Sequence, residues 1–370
     1  MRLPRGIWAF IAVFQSVLLV VHFFLYETWT YSWAASAAVV WWLRLAAGVL
    51  SISFLSTSLL TFRYTNAVLR TIYRVAAVWL GTVSFLFFAA CLSWVTLEIA
   101  RVAGITTNTH ELVEFLFGLG AGLAVVATIN ASWTRVRRIS VKLPDLPAKW
   151  VGRKAALVSD LHLGNVRNGG FLRRIVAMVM QEKPDIVFVA GDLYDGTEID
   201  AVRAAEPLRG LQAPFGTFFV AGNHEQFGDD TKYLSAVSAA GVRVLSNEKV
   251  DADRLQIVGV PYRHATHDEH FRSVLAGIGV DRGRASILLT HAPDRPGIAE
   301  EAGISLQLSG HTHVGQFYPW SWMARRIYRQ FVYGLSRIGG MQVYTSSGAG
   351  TWGPPLRLGS NPEIVIIEFA

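Results

Sequence analysis

Five short motifs in the second half of the chain present side chains that bind metals. In chain order they read D-L-H at 160–162, G-D at 191–192, G-N-H-E at 222–225, T-H at 290–291 and G-H-T-H at 310–313. Aspartate, neutral imidazole and the asparagine carbonyl form the mixed ligand set that first-row divalent metals prefer. Seven of these side chains are enough for a centre of two metals: Asp160, His162, Asp192, Asn223, His291, His311 and His313. The pattern predicts metal-assisted hydrolysis of a phosphoester.

The chemistry explains why these residue types occur together. Two cations about 3.5–4 Å apart lower the pKa of a shared water and neutralise the charge of phosphoryl oxygens. A carboxylate such as Asp192 fixes that separation, and histidine serves as a ligand or as an acid near neutral pH. Singly, Asp160 or Asn223 would more often cap a turn, and His291 would more often be structural. The order of all five motifs favours the metal interpretation, with Asp195 and Glu225 as partners that orient other side chains.

Each motif follows a short apolar run that predicts a β-strand. The five runs are Ala155 to Ser159, Asp185 to Ala190, Thr217 to Ala221, Ser286 to Thr290 and Ser305 to Ser309. Such runs, separated by helix-like stretches, predict an α/β domain whose central β-sheets are covered on both faces and flanked by helices. Ligands bind beyond the carboxyl ends of strands in such domains. We therefore expect the five motifs to meet at one edge of one domain.

From about residue 150 to residue 370 the chain resembles the calcineurin-like metallophosphoesterase superfamily, whose motifs read D-x-H, G-D, G-N-H-[DE], a lone His and G-H-x-H. The resemblance implies that Asp160, His162 and His313 hold one metal, that Asn223, His291 and His311 hold the other, and that Asp192 bridges them. It also implies that a bridging hydroxide attacks phosphorus, while His224 protonates or stabilises the leaving oxygen. The cofactors implied are two divalent ions, with manganese expected and iron or zinc as alternatives.

The last motif resembles that of a bacterial, membrane-associated branch of the superfamily, in which it reads G-H-T-H-G-G-Q. The segment Ser346 to Ile364 also resembles that branch. Here Val314 replaces the first of those glycines, so the substrate selectivity of the branch does not carry over directly. The branch implies cleavage of a phosphodiester or pyrophosphate in a lipid or lipid precursor. The alternatives are the pyrophosphatase of UDP-2,3-diacylglucosamine in lipid A synthesis, a membrane phosphoprotein phosphatase and a non-catalytic sensor or scaffold.

The first 134 residues form a region of different composition, which predicts a bundle of four transmembrane helices. Its apolar runs are each about long enough to cross a bilayer: Ile7 to Tyr26, Ala38 to Leu60, Val75 to Leu97 and Leu112 to Ile129. Cys91, the only cysteine, lies in the third run, so no disulfide framework or thiol metal site is expected. His22 and His110 have no partner that the sequence reveals.

Basic residues predict the orientation of the bundle. They flank the first run, the loop between the second and third runs, and the end of the fourth: Arg2, Arg5, Arg63, Arg70, Arg74, Arg135, Arg137, Arg138 and Lys142. The opposite ends carry only Arg44 and Arg101. Because cytoplasmic loops are enriched in basic residues, we expect a multi-pass protein of the inner (plasma) membrane with its catalytic domain in the cytoplasm.

Charge and composition divide the chain further. Residues 135–153, basic and containing Pro144 and Pro147, are interpreted as a linker, and residues 154–370 as the metallophosphoesterase domain. Up to residue 150 there are 12 basic and 5 acidic residues, and beyond it 22 of each. The neutral second half argues against nucleic-acid binding, which requires a basic stripe. Membrane lipids and a phosphorylated, lipid-like substrate are the expected partners.

Two segments outside the motifs allow more than one interpretation. Phe317 to Phe331 interleaves Trp, Tyr and Arg, which is typical either of a helix at the membrane interface or of a packed excursion that covers a sheet edge. His264, His267 and His270 have the spacing of one helix face, but we interpret their segment as a polar connecting loop rather than a third metal site.

Overall fold

The computed structural model describes residues 5–31, 33, 36–64, 66–227 and 230–370. The chain divides into two compact units. One contains the residues up to Ile129 together with Gly353–Leu356, and the other contains Asn130–Trp352 and Arg357–Ala370. The fold class predicted from sequence, an all-α region followed by an α/β domain, is confirmed.

The N-terminal unit is built from long apolar helices. They are α1 (Arg5–Tyr31), α2 (Ala37–Thr61), α3 (Ala67–Val102) and α4 (Thr109–Ser132). Over the described part of the chain, four helices are long and apolar enough to cross a membrane, which confirms the four predicted runs. Ser36 and Asn66 cap α2 and α3, since each side chain accepts a hydrogen bond from a backbone N–H three residues on. Arg2, used to predict orientation, lies outside the described residues.

The polar side chains inside this unit have partners on neighbouring turns or helices. His22 Nδ1 donates to the carbonyl of Leu18 at 2.8 Å, and Trp79 Nε1 donates to His22 Nε2 at 2.9 Å. Trp94 Nε1 donates in the same way to Thr28 Oγ1. The partner of His22, which the sequence does not reveal, is thus Trp79 on α3, 57 residues away in the chain.

Two six-stranded sheets form the centre of the second unit, as far as the residues are described. The first sheet contains, in spatial order, β1 (Arg135–Val141), β12 (Glu363–Phe369), β2 (Lys154–Val158), β3 (Ile186–Val189), β4 (Thr217–Phe219) and β5 (Arg243–Val244). The second contains β10 (Gly334–Ile338), β11 (Met341–Thr345), β9 (Leu306–Ser309), β8 (Ser286–Thr290), β7 (Leu255–Val260) and β6 (Glu248–Ala252). The five strands predicted from sequence correspond to β2, β3, β4, β8 and β9.

The two sheets pack face to face over a shared apolar core. Leu157 and Phe188 of the first sheet and Ile287 and Leu308 of the second are fully buried there. The helices lie on the outer faces: α5 (Gly169–Gln181), α6 (Ala201–Ala205) and α7 (Thr231–Ala239) on the first sheet, and α9 (Asp268–Ile278) and α10 (Pro296–Glu301) on the second. The short α8 (Tyr262–Ala265) follows β7, and α11 (Trp320–Tyr328) follows the last motif. Each sheet is therefore covered on both faces, by helices on one side and by the other sheet on the opposite side, as the apolar strands predicted.

The segment 135–153, interpreted from sequence as a linker, is part of the folded domain. All seven residues of β1 pair in parallel with β12, at the edge of the first sheet. Farther along, Trp150 is fully buried and donates Nε1 to the carbonyl of Ala252 at 3.1 Å. The linker prediction is corrected for a physical reason: an edge strand tolerates charged side chains on its open side, so its composition resembles that of a loop.

Candidate metal centre

The carboxyl ends of neighbouring strands position the predicted ligands. Asp160, Asp192 and Asn223 follow β2, β3 and β4, which are adjacent in the first sheet. His291 and His311 follow β8 and β9, which are adjacent in the second. Chain order along each sheet thus determines which motifs meet, and the structure brings all seven predicted ligands and His224 together.

One group of ligands consists of Asp160, His162 and His313. Each offers a ligand atom, and these atoms lie within 4.8 Å of one another. The Nε2 atoms of His162 and His313 are 2.9 Å apart, and His313 Nε2 is 3.5 Å from Asp160 Oδ1. Two facing imidazole nitrogens share at most one proton, and a carboxylate only accepts. Burial lowers the pKa of both imidazoles well below the usual value, which favours the neutral form that binds metals.

The second group converges on Nε2 of His291. His291 Nδ1 donates to the carbonyl of Ala190 at 2.7 Å, so neutral His291 has a lone pair on Nε2. That lone pair faces Asp192 Oδ2, Asn223 Oδ1 and His311 Nδ1, each at 3.1 Å. A carboxylate oxygen, an amide oxygen and two imidazole nitrogens thus converge on one point, an arrangement that a bound cation would stabilise. The donor set fits a divalent metal, since carboxylate, amide oxygen and imidazole are all ligands of such ions.

Asp192 lies between the two groups. Its Oδ2 is 3.1 Å from His291 Nε2 and 3.8 Å from His162 Nε2, and its side chain is almost fully buried. Burial by itself would raise the pKa of Asp192, but the imidazoles of His291 and His224 lower it well below the usual value. Burial in turn would lower the pKa of His291, yet the carboxylates of Asp192 and Asp160 raise it to about 10. The centre is therefore built to hold positive charge beside Asp192.

His224 lies beside the ligands with one nitrogen directed at them. Its Nδ1 donates to the carbonyl of Asp195 at 3.0 Å, which leaves Nε2 facing Asp192 Oδ2 at 3.9 Å. The ring stands nearly perpendicular to that of His162, with ring centroids 4.8 Å apart. The backbone N–H of His224 also donates to Asp192 Oδ1 at 3.0 Å. The orientation of His224 is thus set by the chain around it.

The backbone at the ligands is strained. Five ligand residues have φ between 47° and 71°, where non-glycine residues are uncommon: Asp160, His162, Asp192, His311 and His313. The motif glycines allow the strands to approach closely. A Cβ at Gly222 would lie 2.1 Å from Asp192 Oδ1, and one at Gly310 would lie 2.2 Å from Asp160 Oδ2. Strain of this kind persists where the surrounding structure over-determines it, typically at functional sites.

Glu225 holds the loops that carry the ligands. Its fully buried carboxylate accepts the backbone N–H groups of Asp192 at 2.9 Å, Gly222 at 2.8 Å and Tyr194 at 3.1 Å. Burial, followed by the charge of Asp192, raises the pKa of Glu225 to about 7. The carboxylate thus joins the ends of β3 and β4, as expected for a residue that orients ligands.

Comparisons with known proteins agree with this geometry. The model of the calcineurin-like phosphoesterase family matches residues 153–315. The chain is also 30% identical over 322 residues to an uncharacterized metallophosphoesterase of Campylobacter jejuni, across 84% of this chain and 85% of that relative. The chain belongs to the calcineurin-like phosphoesterase family.

Two further relatives share this phosphoesterase domain. An uncharacterized metallophosphoesterase of Aquifex aeolicus is 33% identical over 259 residues, across 67% of this chain and 96% of the relative. A transmembrane protein with a metallophosphoesterase domain from Danio rerio is 29% identical over 305 residues, across 76% and 69% of the two chains. The family implies a hydrolase of phosphoesters that uses divalent metals, and the four long apolar helices together with such relatives indicate a membrane protein.

Arg357 is a residue at this centre that sequence reasoning missed. The side chain is fully buried, and its guanidinium donates to the carbonyls of His313 at 3.0 Å and Gly350 at 2.6 Å. It also lies 3.0 Å from His313 Nδ1. Burial lowers the pKa of Arg357 to about 10. The only sequence signal was its place in the segment Ser346 to Ile364, since 44 residues separate Arg357 from His313.

Val314 and the second histidine cluster are not part of the groups that could hold a metal. Val314 is buried with φ of 52° and packs against Ala324 of α11 and Val332. Among the described residues, the groups that could hold a metal include none of the histidines of this cluster: His264, His267 and His270. The interpretation of their segment as a polar loop is wrong, because His264 lies on α8 and His270 on α9. Their ring centroids are 5.0 Å apart, and His264 Nδ1 lies 2.6 Å from Asn247 Nδ2.

Proposed function

We propose that this phosphoesterase is anchored in the membrane, holds two divalent cations and cleaves a phosphodiester or pyrophosphate bond in a lipid or lipid precursor. The observation that carries the proposal is Asp192, whose Oδ2 lies within 4 Å of both ligand groups and of His224. Asp160, His162 and His313 would hold one cation, and Asn223, His291 and His311 the other, with manganese as the expected metal.

The residues of the chain have distinct parts in this reaction. The cations, when bound, supply the positive charge that lowers the pKa of a nearby water and neutralises phosphoryl oxygens. Asp192 keeps the two ligand groups at a fixed separation. His224 has its Nδ1 engaged by the carbonyl of Asp195, so Nε2 is the nitrogen that can give a proton to the leaving oxygen. Glu225 keeps the Asp192 backbone in its strained conformation.

The surface of α11 favours a lipid-linked substrate. The helix exposes Trp320, Trp322 and Ile327, the last with 66% of its surface accessible, beside Arg325 and Arg326. Aromatic and aliphatic side chains interleaved with arginine suit the boundary between headgroups and acyl chains.

Other residues of α11 lie close to the metal centre. Ala324 packs against Val314, which follows the ligand His313, and the ring of Tyr328 lies 6.1 Å from that of His311. One short helix thus combines residues near the candidate ligands with exposed apolar residues that suit lipid, which supports delivery of a substrate from the bilayer.

The direct test of the proposed function is hydrolysis of a soluble aryl phosphodiester by the purified full chain. Activity is expected only with a divalent metal, with manganese the most effective, and Asp192→Asn should abolish it. Asp268→Asn is a matched control, because the Asp268 side chain is 66% exposed and pairs with Arg295 on the surface. Full activity in a chelator, or in Asp192→Asn, would contradict the proposal.

The lipid assignment has a test of its own. Replacing Trp320 and Trp322 together with Ala should lower activity on phosphodiesters embedded in vesicles but spare the soluble diester. Leu335→Ala, which removes an exposed apolar side chain from β10, should change neither activity. Equal loss on both substrates would contradict a lipid-contacting role for α11.

We also propose the orientation with the catalytic domain in the cytoplasm. Arg63, Arg70 and Arg74 lie at or near the connection between α2 and α3, and cytoplasmic loops are enriched in such basic residues. With all four helices spanning the membrane, this connection and the start of the catalytic domain are on the same side. A single cysteine introduced at exposed Lys149, in a Cys91→Ser background, should resist a membrane-impermeant thiol reagent in intact cells and react after lysis. Labelling in intact cells would show that the catalytic domain lies outside the cytoplasm and would contradict this orientation.

A further inference from the structure

Gln316 fixes the backbone of a residue that is distant in the chain, Trp352. The amide Nε2 of Gln316 donates to the carbonyl of Trp352 at 2.9 Å, and the N–H of Trp352 donates to Gln316 Oε1 at 3.0 Å. One side-chain amide therefore satisfies both backbone groups of one residue. Gln316 is itself buried, three residues after the ligand His313. The position of Trp352 is thus coupled to the last metal motif.

The indole held in this way lies against His224. The ring centroids of Trp352 and His224 are 5.7 Å apart, at an interplanar angle of 66°. The ring of Phe227 also contacts His224, at 4.5 Å and 58°. Phe227 fits there because residue 196 is glycine, where a Cβ would lie 2.8 Å from Phe227 Cδ2. Two aromatic rings thus border the histidine that stands beside the metal ligands.

Both rings leave most of their surface open to solvent. Trp352 is 56% exposed and Phe227 is 58% exposed, although the ligands that they border are buried. Isolated exposed aromatic residues are common and need no explanation. These two differ because they border the same histidine and because a buried amide fixes one of them. Packing alone does not require a bidentate hydrogen bond to hold a residue that remains exposed.

We propose that Trp352 and Phe227 form a leaving-group wall, which binds an aromatic or other apolar group on the ester oxygen that departs beside His224, and that Gln316 is its positioning residue. The proposal rests on the proposed phosphoesterase function and names the substrate feature that it selects. Hydrolysis adds the OH of water to phosphorus, breaks the P–O bond to the leaving group and leaves that oxygen as an alcohol. The wall holds the apolar part of this alcohol, while the phosphoryl group lies at the ligands.

Binding of two phosphonates that cannot be hydrolysed tests the wall. Phenylphosphonate and methylphosphonate share one head group and differ only in the apolar part, so their ratio of Kd values, measured on the full chain with Mn²⁺, reports the wall alone. The wild-type protein should prefer phenylphosphonate about three- to tenfold, the range expected for one aromatic contact. Trp352→Ala should remove most of this preference and leave the Kd of methylphosphonate unchanged. Trp352→Phe should restore part of it.

Kinetics and controls complete the experiment. Trp352→Ala should raise KM for bis(p-nitrophenyl) phosphate by a similar factor and change kcat less than about twofold, since the ring binds and does not react. Gln316→Glu, which keeps the acceptor for Trp352 N–H but loses the donor, should give an intermediate KM. Trp133→Ala removes another exposed indole, 67% accessible, and should change neither KM nor the preference.

Each other outcome is decisive. A full phenyl preference in Trp352→Ala, or none in the wild-type protein, would overturn the wall. Equal weakening of both phosphonates would also overturn it, because the ring would then support the ligands rather than the leaving group. In a further outcome, the wild-type protein hydrolyses no diester, yet Trp352→Ala still removes the phenyl preference. That outcome would overturn the proposed function and leave the wall standing as a binding surface for apolar groups.

Discussion

Buried histidines in the two units of the molecule have opposite surroundings. His22, among the membrane helices, donates one hydrogen bond and accepts one, so its polar atoms are balanced. His291 also donates from Nδ1, but its other nitrogen faces a carboxylate oxygen, an amide oxygen and an imidazole nitrogen, each at 3.1 Å. Burial of a histidine therefore says little about function. The balance of donors and acceptors around it separates a structural histidine from a candidate ligand.

Separate substitutions of His291 and His22 should give the largest difference between a candidate ligand and a structural histidine. His291→Gln should lower metal-dependent diesterase activity more than about 100-fold, since even residues that only orient ligands affect metal sites by 10–100-fold. His22→Leu should keep activity within about twofold and cost about 1 kcal/mol of stability, because Trp79 loses its acceptor inside the helices. Activity and thermal unfolding in detergent measure both. Similar activity losses in the two variants would remove the distinction.

Two glycines, one at the metal centre and one in a membrane helix, extend the comparison between the two units. Gly222→Ala should lower activity roughly 100-fold, because its Cβ would lie 2.1 Å from Asp192 Oδ1 and displace that carboxylate. Gly48→Ala in α2 has open space around its Cβ and should stabilise the helix by about 1 kcal/mol. Metal-dependent activity and the melting temperature of each variant check the pair. Full activity in Gly222→Ala would show that Asp192 can move without consequence.

Arg357 tests how far the charge balance of the centre extends. Arg357→Lys keeps the positive charge but removes the planar guanidinium that donates to the carbonyls of His313 and Gly350 at the same time. Activity should fall about tenfold with weaker metal binding, because His313 loses its support. Arg272→Lys is the control, since the Arg272 side chain is 52% exposed and pairs with the exposed Glu301. Unchanged metal affinity in Arg357→Lys would contradict this role.

Val314→Gly should have the smallest effect. Glycine releases strain of about 1–3 kcal/mol at a φ of 52° but loses the buried contacts with Ala324 and Val332, so stability should change by less than about 1 kcal/mol. Activity on a soluble diester should stay the same, because the side chain packs under α11. A change in kcat/KM of tenfold or more would place Val314 in contact with the substrate.

The sequence predicted those parts of the molecule that depend on short stretches of chain. Asp160, Asp192 and His291 each follow an apolar run, so strand ends and ligands were found together. The pairing of β1 with β12 joins residues more than 220 positions apart and lies at an edge that tolerates charge, so the segment resembled a linker.

Contacts between residues far apart in the chain could not be predicted from the sequence either. Trp79 is the partner of His22, Arg357 supports His313, and Gln316 holds Trp352, and no local pattern signals any of these pairs. Long-range packing decides them, whereas strand-end ligands are decided locally.

The number of cations at which hydrolysis saturates tests the central claim most directly. Metal-depleted full-length protein would be titrated with Mn²⁺ while bound metal and aryl diesterase activity are measured in parallel. Asp192 between two ligand groups predicts saturation at two ions per chain, with loss of both activity and the second ion in Asp192→Asn. Full activity at one ion or none per chain would contradict the account.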